Sequence, residues 1–401
     1  MEQRGVKVYS EIGKLKTVLL HKPGREIENL TPRYLEKLLF DDIPYLKIAR
    51  EEHDKFAEVF KMNGIEVLYL ENLVTDSIKD SNIKEQFVED ILLKSNLIDN
   101  KIKGELKKYL LSMLPKEMID VIMAGVRKED ILLKESKSEY PFLLEPMPNL
   151  YFTRDPFACI GSGISLNSMR KVARKRETLF GKYIFKYHPW FKDTKVNIYY
   201  DMDNPSCIEG GDQLVLSKEV LAIGCSERTD KEAILKLASN IFKSGESFKK
   251  ILLFNIPKIR AFMHLDTVFT MVDYDKFTIH PEIEDTLRVI EISYDKTNQN
   301  VLTKECEESL ESILSKALKT EVTLIRCGGG DKIAAGREQW NDGSNTLAIS
   351  PGKVITYDRN YVTNELLDKH NIEVYAIKSS ELSRGRGGPR CMSMPFVRED
   401  I

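Results

Sequence analysis

Short apolar stretches separated by tight turns dominate the chain after residue 145. The pairs PFACI and ISL, QLVL and VLAIG, TVFTM and FTIH, and TLAI and VITY flank the turns Gly-Ser-Gly, Ser-Lys, Asp-Tyr-Asp-Lys and Ser-Pro-Gly-Lys, respectively. Apolar runs of this length bounded by turn residues predict β-hairpins. A polar residue opens each predicted hairpin, namely Asp155, Asp212, Asp266 or Asn345. The pattern therefore predicts four similar units, each beginning with a polar side chain.

A helix and a further strand follow several of these hairpins. The segment TDKEAILKLASNIFK has apolar residues at helical spacing, and the segments KKILLFNI and IEVYAI are typical of strands. The N-terminal part adds a strand, KTVLLHKPG, that ends at Pro23-Gly24, a helix near residues 43–63 and a second strand, GIEVLYL. The chain thus contains about five copies of a mixed β/α module, which indicates the α/β class.

Modules of this size stack or close into a ring, because one copy cannot bury its own apolar face. If the ring closes, the polar residues that open the hairpins converge at one end of a central axis. We therefore expect Asp155, Asp212 and Asp266 to be neighbours in space. A doubly wound parallel sheet is the alternative, and it is less favoured because the strands come in antiparallel pairs.

The segment from residue 76 to residue 133 has a different pattern. It contains few Gly and Pro residues, and Phe87, Ile91, Leu106 and Leu110 belong to apolar series with helical spacing. We predict an inserted helical bundle at residues 76–139, with residues 1–75 and 140–401 forming the catalytic part. The pattern leaves open whether the bundle is a lid, an oligomer contact or only packing.

The amino-acid composition argues against several classes of function. The 60 Lys and Arg residues nearly balance the 62 Asp and Glu residues, so charge suggests neither a nucleic acid nor a membrane as a partner. The N-terminus has no apolar core of the kind found in a signal peptide, and no stretch approaches the ~18 apolar residues of a membrane span. The six cysteines are scattered without a CxxC pair, which indicates reduced thiols in a cytoplasmic protein.

Three polar clusters stand where the predicted hairpins begin. The first is MPNLYFTRDPF with Asp155, the second is IEGGD with Glu209 and Asp212, and the third is MHLDTVF with His264 and Asp266. His264 and Asp266 are two residues apart on a predicted strand, so both side chains should face one cavity. Each cluster taken alone also fits an ordinary turn or a solvated surface residue. Their repetition at equivalent places favours a common site.

Cys391 lies in GGPRCMSMP, a loop that contains glycines and arginines close to the C-terminus. A cysteine with a histidine forms a nucleophile and acid/base combination. A protease would have little use for the additional carboxylates, because they oppose its oxyanion chemistry. Several carboxylates suit a flat cation such as a guanidinium, whose five N–H donors they can grip.

Two other interpretations of these residues stay open. His264, Asp266, Glu209 and Asp212 include the ligand types of a metal site. Cys327, in RCGGGDK, is a weaker candidate nucleophile. Its motif lacks the Lys-Ser/Thr ending of a phosphate-binding loop and is expected to shape a turn.

These motifs, together with SEIGKLKTVLLHKPG, ERTD and REQWNDGSNTLAI, resemble the arginine deiminase family over essentially the whole chain. The resemblance implies a five-bladed β/α propeller of the pentein superfamily, built from ββαβ modules with an inserted helical bundle. It also implies hydrolysis of L-arginine to L-citrulline and ammonia through an S-alkylthiouronium intermediate, without a cofactor or a metal.

The resemblance assigns roles to individual residues. Cys391 is the implied nucleophile, His264 assisted by Glu209 is the implied general acid and base, and Asp155 and Asp266 hold the guanidinium. The positions implied to line the site around the amino-acid end of arginine are Asn149, Phe152, Arg174, Arg228, Gly385 and Arg386.

Other functions on the same architecture remain alternatives. Agmatine deiminase acts on a substrate without an α-carboxylate, and so has less use for Arg174, Arg228 and Arg386. Dimethylarginine hydrolases lack the helical insertion, and amidinotransferases pass the amidino group to an amine. A non-catalytic arginine sensor would be indicated by loss of the Cys or His, and both are present. The expected partner is the small molecule L-arginine, and a homo-oligomer is left open.

Overall fold

The computed structural model describes residues 4–95, 97–131, 139–194, 196–284 and 286–401, and strands alternate with helices throughout. The strands are β1 (Leu15–Leu20), β2 (Glu66–Tyr69), β3 (Val126–Arg127), β4 (Phe142–Leu144), β5 (Phe157–Ile160), β6 (Gly163–Leu166), β7 (Ile198–Tyr200), β8 (Gln213–Val215), β9 (Val220–Cys225), β10 (Lys250–Asn255), β11 (Phe269–Met271), β12 (Lys276–Ile279), β13 (Arg288–Asp295), β14 (Asn300–Cys306), β15 (Thr323–Arg326), β16 (Leu347–Ser350), β17 (Lys353–Tyr357), β18 (Glu373–Ile377) and β19 (Met394–Arg398). The helices are α1 (Arg25–Glu28), α2 (Leu35–Leu38), α3 (Leu46–Met62), α4 (Leu70–Ser77), α5 (Ser81–Leu93), α6 (Asn100–Leu111), α7 (Pro115–Ala124), α8 (Thr178–Tyr187), α9 (Lys231–Lys243), α10 (Pro281–Glu284), α11 (Leu310–Leu318), α12 (Lys332–Trp340) and α13 (Tyr361–Lys369).

One strand arrangement recurs in the sheets of the described ranges. Each predicted hairpin is antiparallel, and a third strand then pairs in parallel with its second strand: β5–β6 with β7, β8–β9 with β10, β11–β12 with β15, and β16–β17 with β18. The hairpin prediction is confirmed. The doubly wound parallel sheet is wrong, because each of these sheets begins with an antiparallel pair.

A fifth sheet joins the two ends of the chain. Strand β19 pairs antiparallel with β1, and β2 pairs in parallel with β1, so this sheet has the same arrangement as the other four. The buried Arg398 side chain strengthens the junction by donating to the carbonyl oxygens of Gly13 and Ala348, each at 2.8 Å. Because Cys391 precedes β19 by only three residues, this pairing sets the position of the cysteine loop.

Helices α4 to α7 follow one another between residues 70 and 124. The helical prediction for this part of the chain is confirmed, although α4 begins before the predicted boundary at residue 76. Phe87 of α5 is buried against α8, with its ring centroid 4.8 Å from that of Tyr183. Residues 132–138, at the end of the predicted segment, lie outside the described residues. That residues 76–139 form a separate inserted unit stays a prediction.

The buried core consists mainly of the apolar faces of these sheets and of the helices packed on them. Strand β9 is buried along nearly its whole length, and α9 packs the side chains of Ile234, Leu237 and Ile241 against the same sheet. This packing holds the strands in place. The segments that lead into the first strand of each hairpin therefore have fixed positions at one edge of each sheet. Within the described ranges no helix is both long enough and apolar enough to cross a lipid bilayer.

One local prediction is wrong. His264 and Asp266 do not lie on a strand, because residues Leu265–Thr267 form a 3₁₀ turn and β11 begins only at Phe269. Tertiary contacts override the local pattern here, since a short apolar stretch fits a strand or a tight turn equally well.

Candidate active site

The residues that open the five modules meet in a closed circuit of hydrogen bonds. The Gly211 N–H donates to Asp155 Oδ1 (3.2 Å), the Leu265 N–H donates to Asp212 Oδ1 (2.8 Å), and the Asn345 side-chain amide donates to the Asp266 carbonyl oxygen (3.0 Å). The Cys391 N–H then donates to Asn345 Oδ1 (3.0 Å), and the Arg154 N–H donates to the Cys391 carbonyl oxygen (3.1 Å). The circuit joins distant segments, and the predicted proximity of Asp155, Asp212 and Asp266 is confirmed.

A pocket opens beside this circuit. Cys391, His264 and Asp155 line it, and so do the candidate substrate contacts, which are Asn149, Phe152, Arg174, Arg228, Gly385 and Arg386. Glu209 and Asp266 do not line the pocket but lie directly behind residues that do. Eleven residues that were named from the sequence therefore lie in the wall of this pocket or directly behind it.

The Cys391 thiol is almost fully buried and lies near several acids. Its Sγ is 3.8 Å from Asp266 Oδ2. Burial raises the pKa of this thiol well above its usual value, the carboxylates of Asp266, Asp155 and Asp342 raise it further, and the guanidinium of Arg390 opposes them. Burial and these acids therefore disfavour the thiolate, and a cation placed among the acids would favour it.

The His264 imidazole is held between two carboxylates. Its Nε2 lies 2.8 Å from Glu209 Oε2, and its Nδ1 lies 3.8 Å from Asp155 Oδ1. Burial alone would lower the pKa of His264, but Asp155, Glu209 and Asp212 outweigh it and raise the pKa to about 9. Burial of Glu209 is likewise outweighed by Arg228 and the imidazole, so its pKa falls to about 2. The imidazolium is consequently a proton donor at neutral pH.

Asp266 belongs to a buried chain of charges. Arg390 Nη1 donates to Asp266 Oδ2 at 2.8 Å, and Arg390 Nε donates to Glu11 Oε2 at 3.0 Å. Burial nevertheless raises the pKa of Asp266, in opposition to Arg390 and His264. Arg390, next to the cysteine in sequence, therefore ties the N-terminal segment to the acid beside the thiol.

Asp212 is occupied with backbone and hydroxyl donors. Its carboxylate accepts from Ser226 Oγ (2.7 Å), from Thr229 Oγ1 (2.6 Å) and from the Leu265 N–H. Both oxygens are engaged, one with the Ser226 and Thr229 hydroxyl groups and the other with the turn that begins at Leu265. This environment suits a structural carboxylate.

The three pocket arginines that the sequence pointed to differ in how many of their donors are engaged. Arg174 Nη1 donates to Asp155 Oδ2 at 2.5 Å, and this arginine also binds Glu177. Arg228 Nη1 is 3.7 Å from Glu209 Oε2, and its Nε has no hydrogen-bond partner among the described residues. Arg386 stacks on the Trp340 ring at 3.6 Å, and the described part of the chain offers its Nε and Nη1 no acceptor. Arg228 and Arg386 therefore keep donors for an anionic group.

The wall near Arg386 depends on close packing of a glycine loop. A Cβ atom on Gly385 would lie 1.8 Å from the Tyr151 hydroxyl and 3.0 Å from the Phe152 ring. Only glycine fits at that distance, so the loop before the cysteine can press against the aromatic pair. Asn149 is fixed nearby through a 2.8 Å hydrogen bond from its amide to the Leu38 carbonyl oxygen.

Sequence reasoning missed several residues of the site. The further lining residues are Leu39, Lys171, Glu227, Arg260, Met263 and Thr267. Lys171 and Glu227 form a 2.8 Å ion pair and stand close in sequence to Arg174 and Arg228, a signal that could have identified them. Leu39 carried no such signal, because a leucine at φ 65° in a loop follows from no apolar pattern.

A metal ion is a chemical alternative that the geometry can test. Asp155, Glu209 and His264 each place one potential ligand atom within 4.8 Å of the others. Arg174 donates to Asp155 and Arg228 Nη1 lies 3.7 Å from Glu209 Oε2, so two of the three candidate ligands already have a cationic partner. The group also differs from the set suggested by the sequence, because it contains neither Asp266 nor Asp212.

Comparison with known families identifies what this chain resembles. The family model described as "Arginine deiminase" matches residues 36–398. The curated arginine deiminase of Clostridium perfringens (strain SM101 / Type A) is 55% identical over 412 residues, and the match covers 100% of each chain. The matched range contains every candidate site residue.

Two solved structures share the α/β fold. A dimethylarginine dimethylaminohydrolase captured as an adduct with S-methyl-L-thiocitrulline superposes with a TM-score of 0.54 at 14% identity, covering 95% of this chain and 100% of that one. An amidinotransferase from the saxitoxin biosynthetic pathway of Microseira wollei superposes with a TM-score of 0.56 at 14% identity, covering 99% and 98%. At such identities the likeness concerns the fold alone.

Proposed function

The chain belongs to the arginine deiminase family, and from this premise we propose that it hydrolyses L-arginine to L-citrulline and ammonia. The observation that carries the proposal is the meeting of a thiol, an imidazole paired with a carboxylate, and two further acids around one pocket. Few reactions need all of these groups. Attack on a delocalised, cationic guanidinium carbon needs a nucleophile, a proton donor and acids that hold the cation.

Substrate binding follows from the charges. The guanidinium enters between Asp155 and Asp266, where the carboxylates accept its N–H donors. The α-carboxylate reaches toward Arg228 and Arg386, which line the pocket and have N–H donors without a hydrogen-bond partner among the described residues. Asn149, Phe152 and Gly385 shape the remaining wall. A cation among the acids offsets the charges that keep the Cys391 thiol protonated, so binding and activation of the nucleophile are linked.

The first half-reaction forms a carbon–sulfur bond and breaks a carbon–nitrogen bond. The Cys391 thiol releases its proton to solvent, and the thiolate adds to the guanidinium carbon. The His264 imidazolium, held by Glu209, donates its proton to the departing nitrogen, and ammonia leaves. An S-alkylthiouronium group on Cys391 and a neutral imidazole remain.

The second half-reaction restores the enzyme. Neutral His264 takes a proton from water, and the hydroxide adds to the thiouronium carbon. The carbon–sulfur bond then breaks with its electron pair on sulfur, and the hydroxyl proton passes to that sulfur, which releases citrulline and restores the Cys391 thiol. The same imidazole therefore acts first as an acid and then as a base.

The proposal extends to the architecture. Five sheets of one arrangement, linked through the circuit of hydrogen bonds at the site, support a five-bladed β/α propeller of the pentein superfamily. In this arrangement residues 1–75 and 140–401 form the propeller, and residues 76–139 form the inserted helical bundle. The polar residues that open the hairpins then lie around the central axis.

The alternatives differ in the substrate or in the acceptor. Agmatine has no α-carboxylate, and the unengaged donors of Arg228 and Arg386 favour a substrate that has one. An amidinotransferase would deliver the amidino group to an amine. Citrulline release from arginine compared with agmatine turnover tests the first alternative, and addition of glycine as an acceptor tests the second.

Mass spectrometry of the enzyme quenched during arginine turnover tests the mechanism. We expect a covalent adduct on Cys391, and we expect the Cys391→Ser variant to bind arginine without turnover or adduct. The matched control is Cys327→Ala, since Cys327 is buried in contact with Ser344 and does not line the pocket. It should keep both activity and adduct. Full activity of Cys391→Ser, or an adduct on another cysteine, would contradict the mechanism.

A further inference from the structure

Glu177 is a buried carboxylate that sequence reasoning did not select. Its side chain is about 1% exposed overall and stands immediately before helix α8. The side chain makes no capping hydrogen bond to that helix. Instead, Glu177 Oε2 accepts from Arg174 Nε at 2.9 Å and forms an ion pair with Arg174 Nη2 at 2.8 Å. A buried acid is costly unless it is paired, so its partner indicates its role.

Arg174 connects Glu177 to the reaction centre. The far edge of its guanidinium donates from Nη1 to Asp155 Oδ2 at 2.5 Å, while Nη2 also reaches the Phe152 carbonyl oxygen at 3.2 Å. Burial alone would lower the pKa of Arg174, but Glu177 and Asp155 outweigh it and raise the pKa above its ordinary value. The two carboxylates therefore share one guanidinium cation.

The charge of this group of three depends on Glu177. Burial raises the pKa of Glu177 to about 7, although Arg174 opposes this rise, so Glu177 titrates near neutral pH. When Glu177 is ionised, Glu177 and Asp155 together carry two negative charges against the one positive charge of Arg174, and the group keeps a net charge of about −1 for an incoming guanidinium. If Glu177 were neutral, the whole charge of Arg174 would be satisfied by Asp155 alone. The internal ion pair would then compete with the substrate for the same carboxylate.

We propose that Glu177 is a positioning residue for substrate binding, an inference that rests on the proposed function. The Glu177 carboxylate binds one edge of the Arg174 guanidinium and so fixes the orientation of that group. It also balances part of the positive charge of Arg174. Asp155 thereby remains negative enough, and correctly oriented, to hold the guanidinium of the substrate. Glu177 itself does not line the pocket and does not touch the reacting atoms.

The test is Glu177→Gln, which preserves the shape of the side chain and removes its charge. We expect the KM for arginine to rise about tenfold while kcat changes by less than about threefold, because the interaction acts on binding in the ground state and the transition state alike. Glu177→Asp, which restores the charge with a shorter reach, should recover part of the affinity. An unchanged KM in Glu177→Gln would overturn the inference.

Binding is measured separately from turnover by titration calorimetry with L-arginine in the Cys391→Ser background. Adding Glu177→Gln to this background should weaken binding by the same factor as KM. Equal affinity would overturn this inference alone, whereas a wild-type protein that neither binds nor converts arginine would overturn the proposed function as well. If Glu177→Gln does not fold, Glu177→Asp carries the test, and wild-type KM in that variant counts against the inference.

A matched control separates positioning from general stability. Glu246 accepts hydrogen bonds from Tyr9 (2.9 Å), Tyr199 (2.7 Å) and Ser162, and it does not line the pocket. Glu246→Gln should lower the thermal midpoint and leave KM unchanged. If the KM of both variants rises equally, Glu177 acts only through stability and the inference is wrong.

Discussion

Replacing Gly211 by alanine tests whether the spacing between the acidic motif and the histidine sets the rate. A Cβ atom at this position would lie 2.7 Å from both Cγ and Nδ1 of His264 and 3.0 Å from Asp155 Oδ1. Ordinary contacts begin at 3.4 Å, so the imidazole must retreat by about 0.7 Å, and the 2.8 Å hydrogen bond to Glu209 limits that movement. Because a displacement of about 1 Å can cost roughly 10²-fold, we expect kcat to fall about a hundredfold.

Steady-state citrulline release measures the effect, and urea unfolding measures its structural cost. Overpacking of this kind should lower the free energy of unfolding by about 1–3 kcal/mol. Gly104→Ala is the matched control, because no described atom lies within 4 Å of a Cβ at Gly104, in the interior of α6. That variant should retain full activity. A Gly211→Ala enzyme with wild-type kcat would refute the claim that the His264 position limits the rate.

Two further predictions concern charge. The folded-state pKa of His264 is raised to about 9, against about 6.5 in an unfolded chain. The stability that its proton contributes should therefore be complete below pH 6.5 and should disappear as pH rises through 9. Urea unfolding of wild type and His264→Asn at several pH values checks this, and a pH-independent difference would contradict it. Arg390→Met leaves the carboxylates of Glu11 and Asp266 buried without their cation and should cost about 3–5 kcal/mol in the free energy of unfolding, measured in urea; a loss below 1 kcal/mol would show that the chain of charges is not important for stability.

The local elements of the fold could be predicted from the sequence because they depend on neighbours. The hairpin after Asp212, for example, follows from two apolar runs and a Ser-Lys turn, and the structure has it as β8 and β9. The turn at His264 could not be predicted in this way. Its 3₁₀ conformation accompanies a hydrogen bond from the Leu265 N–H to Asp212, a residue more than fifty positions away.

The residues of the candidate site likewise fall into those that the sequence could identify and those that it could not. Cys391, His264 and Asp155 were identifiable because reactive side chains stood at equivalent places in repeated units and within specific motifs. Glu177 was not identifiable, since a glutamate before a helix is usually a solvated residue. Its importance comes from burial against Arg174, which no local pattern encodes.

The amino-acid sequence by itself determined which chemical groups this protein carries, the order of its strands and helices, and the family to which it belongs. Only the tertiary structure decided which groups meet, that Arg174 is engaged with two acids while Arg228 keeps unused donors, and that burial and neighbouring acids raise the pKa of the Cys391 thiol. The physical reason is range: turns and helices depend on residues a few positions apart. Ion pairing, burial and pKa depend on distances in space, and folding brings together segments from opposite ends of the chain.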